Sequence, residues 1–149
     1  MDFMLWATRS VHLFAIIVWL GGIFYQGLFV VPRLKSDDKV DAVAIAAMLQ
    51  FVPIGWMCLT TALVTGVALM LFSPRFLFFE YHDYWSVALG LKQLLFLLMT
   101  FFFFGCSRML KLAVAAPEQS HNALERVVQF SRINVAFSIL VIGIAVSMR

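Results

Sequence analysis

Long apolar runs alternate with short polar interruptions along this chain, and that pattern predicts the fold. Crossing the hydrocarbon of a bilayer as a helix takes about 20 apolar residues. Four segments meet the requirement, at about residues 11–31, 51–72, 86–104 and 133–148. The last is the shortest, and Arg132 and Arg149 flank it with side chains able to snorkel into the headgroup layer. The expected architecture is all-α, a single integral membrane four-helix bundle.

The interruptions agree. Residues 32–41 hold Arg33, Lys35, Asp37, Asp38 and Lys39, and they lead into a short helix at 42–48 that merges with the second span. Ser73, Pro74 and Arg75 form a turn at which proline stops the second span. Phe76–Phe79 and then Glu80, Tyr81, His82, Asp83, Tyr84 and Trp85 make an aromatic stretch suited to the headgroup level. Residues 115–122 read as a polar loop around Pro117, and 123–132 as an amphipathic segment before the fourth span.

Charge orients the bundle. The first and third connections carry Arg33, Lys35, Lys39, Arg108, Lys111, Arg126 and Arg132, whereas the opposite side carries Arg9, Arg75 and Arg149. The positive-inside rule then places the basic connections in the cytoplasm and both termini outside, on the periplasmic side of a bacterial inner membrane.

Composition supports this reading and narrows function. Hydrophobic residues make up 63% of the 149 and charged residues 13%. A soluble monomer built this way would expose large apolar patches, which such proteins avoid. The net charge of +3 follows from membrane topology and indicates no nucleic-acid surface. The two cysteines, Cys58 and Cys106, form neither a disulfide framework nor a Cys-x-x-Cys site. The first apolar run is too long for a cleavable signal, and Gly21 and Gly22 sit in its middle. No phosphate-binding glycine loop, His-Glu-x-x-His or Ser-His-Asp set occurs.

Polar residues inside the apolar runs carry the chemistry, because each is costly there. Lys92 lies about two turns into the third span, with no acid in the four spans to meet it. Its ammonium either snorkels outward or meets an anion, from Glu80, Asp83 or a ligand carboxylate. His12 lies near the outer end of the first span. His12, Trp19, Gln26 and Arg33 repeat every seven residues and fall on one stripe, which should face the bundle interior. The imidazole either bonds at headgroup level or serves as a metal ligand, heme ligand or proton carrier. His12 and Lys92 share the outer leaflet, with His82 as a possible third member. Cys58, Thr61 and Thr65 share a face of the second span, and Asn134 and Ser138 are suited to hydrogen bonds between helices. The glycines suit close helix approach. Of the eight methionines, Met70 and Met148 lie at the depth of His12 and with it compose a candidate Cu(I) path; as a group they read as packing.

The first-span residues Val11-His12-Leu13, then Val18-Trp19-Leu20-Gly21-Gly22-Ile23-Phe24-Tyr25, resemble the opening helix of a bacterial membrane superfamily. That superfamily includes the HemJ-type protoporphyrinogen IX oxidases and the CopD-type copper-resistance proteins. Phe51-Val52-Pro53 with Val64-Thr65-Gly66, Leu91-Lys92-Gln93-Leu94, and Asn134 opening the last helix extend the likeness over most of the chain. The resemblance implies heme b as cofactor, His12 as its iron ligand, Lys92 as a catalytic or propionate-holding group, and Trp19 as a pocket residue. The implied activity is oxidation of protoporphyrinogen, or electron transfer between a heme and quinone. Two other readings stay open: copper handling, and a non-catalytic subunit of a respiratory or photosynthetic complex. Expected partners are the lipid bilayer, a porphyrin or quinone, and further copies or subunits.

Overall fold

The computed structural model describes residues 2–34, 42–72, 84–115 and 120–147. All four predicted spans are helices long and apolar enough to cross a membrane, and no strand occurs among the described residues. Helix α1 runs as an α-helix over Asp2–Tyr25, passes through a π-helical turn at Gln26–Val30, and closes with Val31–Arg33. Helix α2 covers Ala42–Leu71, α3 Tyr84–Ala115 and α4 Ser120–Ser147. The protein is a multi-pass membrane bundle.

The helices outrun the apolar segments. Helix α1 begins nine residues before residue 11, and α3 continues to Ala115 past the apolar edge at 104. The segment 123–132 is continuous with the fourth span, and the helix 42–48 merges with the second as expected. A helix pairs its own backbone groups and so need not stop at the edge of the hydrocarbon. Hydroxyls near the start of α1 bond back onto the helix, Thr8 Oγ1 to the Met4 carbonyl at 2.8 Å and Ser10 Oγ to the Trp6 carbonyl at 3.0 Å.

Packing divides the bundle into two hairpins. Helix α1 lies along α2, and α3 along α4, whereas the hairpins meet each other over far less of their length. Lipid tails are as apolar as leucine, so fit rather than water exclusion holds such helices together. Side chains of one helix seat on glycines of another: Phe51 on Gly22, Val135 on Gly27, Phe103 on Gly55 and Phe130 on Gly105. The central cluster joins Trp19, Ile23, Leu59, Met99 and Phe103. Phe103 lies edge-on to Trp56 at 5.7 Å and to Phe51 at 6.2 Å, so it links α3 to α2. A second cluster, with Val30, Met48, Leu110 and Val127, closes the end nearest the 34–42 and 115–120 connections. Phe14, Ile17, Phe29, Val64, Leu97 and Ile139 are exposed, facing where lipid would be.

The predicted polar stripe of α1 holds over three of its four members. His12 is half-buried and Trp19 and Gln26 are buried, but Arg33 is exposed. The π-helical turn lies between Gln26 and Arg33, and its extra residue rotates everything beyond it. The Asn134 and Ser138 expectation is corrected for the hydroxyl: Ser138 Oγ donates to the Asn134 carbonyl at 2.8 Å, within α4 rather than across to a neighbour.

Candidate functional site near the N-terminal ends of α1 and α3

Interior positions recur along each helix with helical spacing. On α1 the buried residues include Ala15, Trp19, Ile23 and Gln26, and His12 lies three residues before Ala15. On α3 they include Ala88, Leu95, Met99 and Phe103, and Lys92 fills the gap between Ala88 and Leu95. Spacings of three and four residues share a helix face. Both sequence-predicted polar residues therefore belong to interior stripes, and both are half-buried.

Depth relates them. Trp19 meets Phe96 edge-on, with centroids 5.9 Å apart, which ties α1 to α3. Lys92 lies four residues toward the helix N-terminus from Phe96, about 6 Å at 1.5 Å per residue. His12 lies seven from Trp19 in the same direction, about 10.5 Å by the same rise. Both therefore lie on the N-terminal side of that contact, on opposite hairpins, with Lys92 about one turn nearer the centre. No hydrogen bond joins the two residues, and no carboxylate pairs with Lys92 among the described residues. Glu80, His82 and Asp83, the loop partners considered for this site, lie outside the described residues.

His12 has a partner that was not assigned to it from sequence. Its Nδ1 lies 2.8 Å from Thr65 Oγ1 on α2. Thr65 Oγ1 also lies 2.6 Å from the Thr61 carbonyl, one turn back on its own helix. A hydroxyl has a single proton. Thr65 directs it to a carbonyl of its own helix, Thr61 or the more distant Ala62. The His12 ring has a second hydrogen-bond partner in the Ala62 backbone, so two adjacent groups of α2 hold the imidazole. Gly66 completes the seat, since a Cβ there would meet His12 Cε1 at 3.2 Å. The Thr65-Gly66 pair inside an apolar run was the available signal for this contact.

Trp19 sits deeper, in the central cluster, and its Nε1–H is buried without an acceptor among the described residues. Asn134 Oδ1 on α4 is likewise buried without a donor among them. Such atoms are uncommon in packed interiors and call for a partner of another kind.

The hydrogen bond with Thr65 orients the His12 ring, as such bonds orient metal-binding histidines in general. Lys92 has no carboxylate partner among the described residues. The residues one turn from the polar groups are Ala15, Ala62 and Ala88, so small side chains border the meeting of the two hairpins. Copper finds less here: Met70 Sδ accepts a hydrogen bond from Gln93 Nε2 at 2.8 Å, and Met148 lies outside the described residues. No group of three His, Cys, Asp or Glu side chains able to hold a metal occurs among the described residues. No protein family, curated protein or solved structure matches the chain.

Proposed function

We propose that this is a heme- or porphyrin-associated protein of the bacterial inner membrane, with both termini on the periplasmic side. In this reading it oxidises protoporphyrinogen IX or passes electrons between a heme and the quinone pool. The supporting observation is the imidazole of His12, held by Thr65 and the Ala62 backbone, near the same end of the bundle as Lys92, which has no carboxylate partner among the described residues. His12 would ligate iron through Nε2, and Lys92 would hold a propionate or move a proton. Trp19 would offer its spare N–H two turns deeper. Bound heme b would supply the one-electron chemistry, and the chain would supply position and a fixed charge. The surrounding alanines would keep water from the bound face.

A reduced-minus-oxidised absorption spectrum of protein expressed with ample heme is the direct test. The expected result is a b-type spectrum that His12→Ala abolishes. Lys92→Met should keep the spectrum but raise the porphyrin concentration for half-saturation about tenfold, the worth of one charged hydrogen bond. A featureless wild-type spectrum would exclude this function.

A further inference from the structure

A groove of about 300 Å³ opens on the bilayer-facing side of the α3/α4 hairpin, toward the 115–120 connection. Its lining among the described residues includes Phe102, Phe104, Gly105, Leu112 and Phe130, with Arg108 as the one charged side chain. The shape is braced. Phe130 seats against Gly105, where a Cβ would meet its ring at 3.0 Å, and Phe102 packs on Phe130 with centroids 5.7 Å apart. Trp56 of α2 supports Phe104 from behind at 6.2 Å. The Arg108 guanidinium lies 5.8 Å from the centre of the Phe104 ring.

Arg108 has no carboxylate partner among the described residues, where the ion pair present is His121 with Glu125. It lies seven residues short of the end of α3, about 10.5 Å, so its charge is held below the helix terminus beside an aromatic trough. Lys111, one turn further, is exposed and adds a second cation. A single cation in an otherwise apolar, aromatic trough on the outer surface of the bundle has one complementary molecule close at hand. We propose that the groove is a specific site for an anionic glycerophospholipid, its phosphate on Arg108 and an acyl chain along Phe102 and Phe130. A zwitterionic lipid fits less well, because its own ammonium competes for the phosphate. Basic pockets between membrane helices bind anionic headgroups in this manner.

The test is native mass spectrometry of the protein released from phosphatidylcholine nanodiscs containing a minority of phosphatidylglycerol. The expected result is retention of phosphatidylglycerol over phosphatidylcholine by about fivefold, the worth of one cation near a membrane surface. Arg108→Gln should abolish the preference, Arg108→Lys should keep most of it, and Arg132→Gln, an exposed arginine outside the groove, should leave it unchanged. Absence of a preference, or equal loss in the Arg108→Gln and Arg132→Gln variants, would overturn the proposal. So would a shift between monomer and dimer in Arg108→Gln with lipid retention unchanged, which would assign the groove to a second copy of the chain.

Discussion

Replacing Gly55 with leucine is expected to destabilise the bundle by about 1–3 kcal/mol, the usual consequence of forcing carbon into a packed core. Gly55 is buried in α2, and the Phe103 ring of α3 rests where its Cβ would be. Phe103 also leans on Phe51 and Trp56, so the ring cannot retreat without opening the central cluster. The contact lies between the two hairpins, where packing is otherwise thin. The leucine should therefore separate hairpins that each remain helical. Reversible unfolding in mixed detergent micelles measures the effect, with Gly21→Leu as the comparison. Nothing lies within 4 Å of a Cβ at Gly21, and the change there should stay within about 0.5 kcal/mol. If the two variants are equally stable, the hairpins do not dock through Phe103.

Thr65→Val should weaken iron-porphyrin binding roughly 10–100-fold, the usual range for losing the group that orients a metal-bound histidine. Valine matches threonine in shape but cannot hydrogen-bond Nδ1 of His12. The imidazole then keeps only the Ala62 backbone to orient it. Titration followed in the Soret band gives the affinity, and Thr65→Ser should restore it, because the serine hydroxyl can bond both His12 and the Thr61 carbonyl. The effect on folding should be much smaller, since a hydrogen bond between membrane helices averages about 0.6 kcal/mol. An unchanged titration in Thr65→Val would show that this hydroxyl does not govern the histidine.

The number and order of the spans were legible because a bilayer makes one demand that sequence displays directly, a run of apolar side chains. Helix ends were not. Thr8, Ser10, Lys111 and Glu125 are all helical, and hydropathy says only that they lie outside the hydrocarbon. The interior side of α1 could be read from His12, Trp19 and Gln26 because three members of a heptad spacing kept one face. The pairing of His12 with Thr65 could not be read. It depends on which helices are neighbours and on how far one slides along the other, and both are fixed by contacts such as Phe51 on Gly22. Ser138 shows the opposite limit: a buried hydroxyl suggests a partner across the bundle, yet its own helix offers a carbonyl one turn away.

The π-helical turn at Gln26–Val30 acts as a phase shifter within a single helix. A π-bulge amounts to one inserted residue, and one residue is about 100° of rotation. The stretch carrying His12 and the stretch carrying Val30 and Val31 are thus set at separate angles, each suited to its own neighbours. Removing one residue from 26–30 would restore an unbroken α-helix and preserve every side chain outside the deletion. It would also leave the two ends in their present relation, because the bulge already absorbs the inserted residue. Straightening the turn with no residue removed would instead rotate one end against the other by that same angle, about 100°, and either Val30 and Val31 would leave their cluster or His12 would swing away from Thr65.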